Sequence, residues 1–269
     1  MTSSKPNRVA RVRAARGPVR SVIAVCAMTV FVAGLASCAQ EQPAPTPAPT
    51  PPPVETEAPP TVAPEPEFDR SAHSLDDPMS IWVVSNKLRP LDPIDFEASD
   101  LVMPEGIDNE FSQPLREPAA RAAEAMLGAA AAEGLPVRII SAYRDHATQS
   151  TLYTSYVGRD GQAAADTYSA RPGHSEHQTG LVIDIDDYGG CYLAACFGDT
   201  PTGAWLAEHA AEYGFIIRYP AGKESVTGFM PEPWHFRYVG PELALEMRET
   251  GVTTLEEFFG LPAAPDYAG

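Results

Sequence analysis

The sequence is poor in basic side chains, in cysteine and in long apolar runs, and it carries no internal repeat. Its 19 Lys and Arg stand against 36 Asp and Glu, a formal net charge of −17. A surface this acidic repels phosphate backbones and anionic headgroups, which argues against nucleic acid or anionic lipid as a partner. The apolar run from Val22 to Ala36 is short of the ~20 residues a helix needs to span a bilayer. No Gly-rich phosphate turn follows a strand candidate, so a doubly wound nucleotide fold is not expected. The four cysteines, Cys26, Cys38, Cys191 and Cys196, are too few for a disulfide-built scaffold.

What is present at the amino end reads as an export signal. Lys5, Arg8, Arg11, Arg13, Arg16 and Arg20 form a basic region, the run Val22–Ala36 a short apolar region, and Leu35-Ala36-Ser37 precedes Cys38. This arrangement resembles the lipobox of bacterial lipoproteins, which implies a signal peptide over residues 1–37 and a diacylglyceryl group on Cys38. The protein is then expected to be exported and held by its lipid alone on the outer face of the cytoplasmic membrane, facing the cell wall. A signal anchor or a plain secretory signal is the alternative. Cleavage after Ser37 leaves 13 basic against 36 acidic residues, a net charge near −23.

Residues 38–67 are the lipidated cysteine and a linker. From Ala39 to Glu67 there are 11 prolines in 29 residues and no core-forming run. Such a segment cannot bury enough apolar surface to offset its ordering entropy, and it is expected to be an extended spacer. Residues 68–269 are long enough for one domain with a sizeable core. Cys191 and Cys196, close together in an oxidising compartment, are expected to pair; free thiols are the alternative.

Within that domain the pattern predicts a short strand at Trp82–Val84 and an alanine-rich helix from Pro118 to Gly134. A strand at Val137–Tyr143 and a helix at Ala147–Val157 follow. Helices are also expected at 161–169, 203–213 and 241–248, with a short one from Thr253, and strands at 215–218 and 234–239. Leu181, Ile183 and Ile185 alternate with Val182, Asp184 and Asp186, a strand with one polar-bearing face. Strands separated by helices suggest a single α+β domain.

The chemistry-bearing residues gather between Arg171 and Asp187. His177 stands seven residues before Asp184, and Glu232-Pro233-Trp234-His235 follows some fifty residues later. Two imidazoles, a carboxylate inside an apolar strand and a spare glutamate match a catalytic zinc site: three ligands, an open position and a base. An unpaired carboxylate in such a strand costs several kcal/mol, which a metal removes. Asp186, nearer the strand end, is expected to lie behind the site or face solvent. Pro231 and Pro233 rule out a helical zinc motif around Glu232.

Ser141-Ala142-Tyr143-Arg144, Gly173 to Gly180, Asp184 and Glu232 to Gly240 together resemble the VanY-type D-alanyl-D-alanine carboxypeptidases, peptidoglycan peptidases related to D,D-dipeptidases. The likeness spans most of 80–245, including Asn86-Lys87 and Arg218-Tyr219-Pro220. It implies a central antiparallel sheet and one Zn2+ on His177, Asp184 and His235, with Glu232 as general base. The implied substrate is the D-Ala-D-Ala end of peptidoglycan stem peptides, with no protein partner expected. Arg144 is expected to bind the oxyanion or the substrate's terminal carboxylate. Ser175 and Gln149 are expected to hydrogen-bond the substrate, and Tyr153 and Trp234 to wall the pocket. Asp145-His146 departs from the Ser-Tyr common after that arginine, so no contact is carried to those two positions. His73, His146 and His174 are read as non-ligands. The alternatives are a D,D-endopeptidase, a D,D-dipeptidase, and a non-catalytic wall-binding or zinc-binding lipoprotein.

Overall fold

The computed structural model describes residues 67–268. The signal peptide, Cys38 and the linker up to residue 66 lie outside the described residues. In chain order the elements are β1 (Leu101–Val102), β2 (Leu115–Arg116), α1 (Glu117–Ala132), β3 (Arg138–Ser141), α2 (His146–Asp160), α3 (Gln162–Ala165), β4 (Val182–Asp186), α4 (Pro201–His209), β5 (Phe215–Ile217), α5 (Glu224–Thr227), β6 (His235–Tyr238), α6 (Pro241–Thr250) and α7 (Leu255–Phe259). The strands β3-β4-β6-β5 form an antiparallel sheet in that order, and β1 pairs with β2 in a small ribbon.

The sheet's two faces carry different loads. Ile183 and Ile185 of β4 and Phe236 of β6 are buried with Ala119, Ala123, Met126 and Leu127 of α1. Alanines on the inner face of α1 let the helix lie close to the sheet, and Pro118 at its start suits the first turn. A second cluster joins Trp82, Val84 and Ile216 to Leu243 and Met247 of α6 and Leu255 and Phe258 of α7. Because side chains alternate, fixing the isoleucines in the first core turns Val182 and Asp184 to the opposite face. Asp184 then lies directly across from His235, and Val182 across from Arg237.

Trp82–Val84 is not a strand. The segment is buried, yet its backbone pairs outside any ladder: Arg237 Nη2 donates to Val83 O at 2.7 Å, and to Ile81 O just before the segment at 3.1 Å, while Arg89 Nε donates to Val84 O at 3.2 Å. Trp82 Nε1 donates to Val239 O at 2.8 Å. The apolar run satisfies its backbone through two arginines and nearby loop carbonyls instead of a ladder, a solution that periodicity does not reveal. Of the two places expected for Asp186, solvent is excluded. It is 1% exposed and paired with Arg138, whose Nη2 lies 2.8 Å from Oδ2. Cys191 and Cys196 form a disulfide that closes the loop between β4 and α4.

Beneath the site lies a buried ion cluster. Glu176 Oε1 accepts from Arg218 Nε and Arg237 Nη1, both at 2.8 Å. Glu256 of α7 takes the other edge of Arg218 at 2.9 and 2.7 Å, and Asn86 donates to the same carboxylate at 2.9 Å. Burial pushes the Glu176 carboxyl up, but the two guanidiniums outweigh it and hold the group well below the usual carboxylate range. Removing one partner of a buried pair costs ~3–5 kcal/mol, because the remaining charge has no solvent. Arg218→Ala is therefore expected to lower the urea midpoint by an amount equivalent to ~3–5 kcal/mol. A midpoint equal to that of the parent protein would contradict this account of the cluster.

Candidate active site

Three elements deliver the predicted metal ligands. Asp184 comes from the middle of β4 and His235 from the first residue of β6, facing each other across the ladder. His177 comes from a one-turn 3-10 helix, Glu176–Thr179, that ends at Gly180. Gly180 has φ +69°, and a Cβ there would come within 2.9 Å of Arg116 Cγ, so the turn requires glycine. A register shift in the β3–β4 pairing, between Ile139 and Ser141, brings Ser141 opposite Asp184.

One donor atom each from His177, Asp184 and His235 lies within 4.8 Å of the others, and all three residues are buried. His177 Nε2 is 3.3 Å from Asp184 Oδ2, and His235 Nδ1 is 3.2 Å from Asp184 Oδ1. The other ring nitrogens face groups outside the trio. His177 Nδ1 donates to Ala142 O at 2.7 Å, which leaves Nε2 as the lone-pair nitrogen. His235 Nε2 faces Glu176 Oε2 at 3.9 Å, an electrostatic approach beyond hydrogen-bond reach that leaves Nδ1 for the site. Asp184 Oδ1, fully buried, has no hydrogen-bond partner among the described residues. Two oriented imidazoles and an unsatisfied carboxylate oxygen, converging on one point, fit a metal ion of the borderline-soft type.

Burial and close packing of like and unlike charges move every one of these groups from its usual range. Burial pushes the Asp184 carboxyl up, but the two imidazoles outweigh it and hold the group well below its usual range. His177 is pushed down, first by burial and then by Arg144. His235 goes the other way, to about 9: burial lowers it, but the adjacent Asp184, Glu176 and Glu232 carboxylates outweigh burial. Glu232 is not in the donor trio. Its Oε2 lies 3.4 Å from His235 Nδ1, and burial pushes its carboxyl up to about 8, with His235 opposing and Asp184 adding to the rise.

These groups form the floor of a cavity of about 300 Å³. Arg144, Ser175 and Trp234 line it, together with Tyr156, Tyr168 and Tyr219. Arg144 makes no surface pair with Asp145, which instead caps α2 by accepting from Thr148 N at 2.7 Å. Its guanidinium donates to Gln149 Oε1 at 2.6 Å and to Ser141 Oγ at 3.0 Å. Burial pulls its pKa down, while Asp184 and Glu232 oppose that change.

Two predicted contacts differ. Tyr153 is turned away from the cavity, its hydroxyl donating to Asp166 at 2.7 Å; Tyr156, one turn further along α2, lines the wall. Gln149 borders the cavity but spends its amide within the protein, taking Arg144 on Oε1 and giving Nε2 to Ala170 O at 2.6 Å. His174 is confirmed away from the ligands, with Nδ1 2.7 Å from Asn86 O. The residue that motif reading passed over is Glu176, adjacent to His177 and facing His235; its signal was a glutamate inside the most polar turn of an apolar region.

Metal binding to a preformed trio stabilises the folded state through linkage. Stripping metal with a chelator is expected to lower Tm, and re-addition to restore it, in the parent protein but not in Asp184→Asn. A Tm insensitive to metal in the parent protein would contradict the assignment of the trio.

Residues 112–241 match the family model described as VanY, D-alanyl-D-alanine carboxypeptidase. The chain is 40% identical over 194 residues to the Bacillus subtilis (strain 168) protein YodJ, whose name assigns it provisionally to the carboxypeptidases; the match covers 69% of each chain. Among solved structures it resembles the LdcB LD-carboxypeptidase, with TM-score 0.64 and 39% identity over 68% of this chain and 87% of that one. It also resembles the VanY D,D-pentapeptidase of a VanB-type resistance cassette, solved in complex with Zn(II), with TM-score 0.55 and 29% identity over 65% and 97%. Matched in sequence across the residues that build the sheet and its buried trio, and in fold to solved members, the chain belongs to the VanY family of D-alanyl-D-alanine carboxypeptidases.

Proposed function

We propose that this protein is a zinc-dependent D,D-carboxypeptidase that removes the terminal D-Ala from peptidoglycan stem peptides. The observation that carries the reading is the buried His177, Asp184 and His235 trio with Glu232 beside it, 3.4 Å from His235, at the floor of a cavity lined by Arg144. His177, Asp184 and His235 would hold zinc, which when bound would supply Lewis acidity and lower the pKa of a water to ~7. Glu232, desolvated and outside the trio, takes the proton of the attacking water and returns it to the leaving D-Ala amine. Arg144, steadied by Gln149 and Ser141, binds a negative charge on the substrate, either the terminal carboxylate or the oxyanion. Ser175 and Trp234 contribute polar and apolar walls to the same cavity.

A second reading, an L,D-carboxypeptidase acting on stems already shortened by one D-Ala, is favoured by the higher identity to LdcB, 39%, than to the VanY D,D-pentapeptidase, 29%. In either case the proposal keeps the peptidase at 68–269, tethered through the 38–67 linker to a lipidated Cys38 on the outer face of the membrane.

The test uses the full-length zinc-loaded chain with a pentapeptide stem ending in D-Ala-D-Ala, a tetrapeptide stem ending in one D-Ala, and a cross-linked dimer. Products are read by mass, with and without chelator. Loss of one D-Ala from the pentapeptide supports the proposal, and loss from the tetrapeptide alone transfers it to the second reading. Release of a dipeptide or cleavage of the dimer moves the protein to another branch, and no cleavage of any of them overturns it. Glu232→Gln is expected to lower kcat ~10²–10⁴-fold. Arg144→Lys separates its two roles: a raised KM with kcat kept marks the carboxylate, and an equal fall in kcat and kcat/KM marks the oxyanion.

A further inference from the structure

The segment after α7, residues 262–268, folds back against Val226, Lys87 and Arg171. Ala264 N donates to Val226 O at 2.8 Å, and Lys87 Nζ to Pro265 O at 2.9 Å. Tyr267, at the far end of this segment, accepts the backbone N–H of Arg171 on its hydroxyl at 2.7 Å. Its ring lies under the Arg171 guanidinium, 4.0 Å from the centroid, and meets the His174 ring edge-on at 5.0 Å. Arg171 is fixed from the other side by Asp166, at 2.9 and 3.2 Å.

The N–H of Arg171 belongs to the same planar peptide group as the C=O of Ala170. That carbonyl accepts Gln149 Nε2 at 2.6 Å, and Gln149 Oε1 accepts Arg144 Nη1 at 2.6 Å. One rigid peptide unit therefore joins Tyr267 to the arginine of the cavity. Gln149 is 1% exposed, so no water competes for either end of its amide, and its orientation is dictated by the carbonyl it faces. A peptide group bonded at both ends is also more polarised, which strengthens each bond in the chain.

We propose that Tyr267 is a positioning residue for Arg144, acting through the Ala170–Arg171 peptide group and Gln149. The inference rests on the proposed role of Arg144 toward substrate. It does not involve the metal ligands or Glu232.

The experiment compares the full-length zinc-loaded chain with Tyr267→Phe, which removes the hydroxyl and keeps the ring on Arg171, with Gln149→Ala and with the double variant. Tyr267→Phe is expected to move the same kinetic constant that Arg144→Lys moves, KM or kcat, in the same direction and by roughly 3- to 10-fold, the worth of one hydrogen bond. In the Gln149→Ala background the same substitution is expected to change nothing further. An unchanged constant, an effect on the other constant, or an additive effect in the double variant overturns the proposal. A crystal structure of Tyr267→Phe supplies the readout that does not depend on activity. A displaced Gln149 amide and Arg144 guanidinium support the inference even if no stem peptide is cleaved, which would count against the functional reading alone. Undisplaced groups overturn the inference whatever the activity.

Discussion

The constraint on which the rest depends is the register of β4 against β6. It sets Asp184 opposite His235, and it is locked by Ile183 and Phe236, which pair with each other and point into the α1 core. A slip of one residue would send Asp184 into that core and an isoleucine into the cavity. The apolar packing therefore aims the polar groups. The shift in register on β3 extends the same logic, since it brings Ser141 opposite Asp184, where its hydroxyl accepts from Arg144.

The second layer is electrostatic. Glu176 binds Arg218 and Arg237 and faces His235, so one carboxylate ties β5, β6 and the His177 turn together. Arg218 carries the link on to Glu256 in α7, and Arg237 carries it to the Ile81 and Val83 carbonyls. Isolated buried charges are costly, but here each guanidinium meets carboxylate or carbonyl partners, which offsets much of the desolvation. The arrangement also places the Glu176 carboxylate 3.9 Å from His235 Nε2, a charge behind the ring. Distant parts of the chain thus converge on a metal ligand without entering the cavity.

The sequence made the local parts of this legible. The alternation around Asp184 and the prolines flanking Glu232 foretold the strand and the bent segment, and the likeness to a known family gave the trio its partners. What it hid were side chains whose partners are remote. Trp82–Val84 reads as a strand because it is a short apolar run, yet the Val83 carbonyl belongs to Arg237, more than 150 residues away. Glu176 reads as a solvated turn residue until Arg218 and Arg237 surround it. Gln149 and Tyr153 carry the right chemistry for substrate contacts, but Ala170 O, Arg144 and Asp166 claim them first. For Asp186 the sequence left burial and solvent open, and Arg138 on the neighbouring strand decides for burial.

The central claim is that this sheet register assembles one metal centre from His177 Nε2, Asp184 and His235 Nδ1. The most direct measurement is anomalous diffraction at the zinc edge from crystals of the zinc-loaded protein. The account predicts a single strong peak bounded by those three side chains, with Glu232 beside it and outside the direct ligand set. A peak elsewhere, or one held by Glu176, Glu232 or His174 in place of a member of the trio, would contradict it.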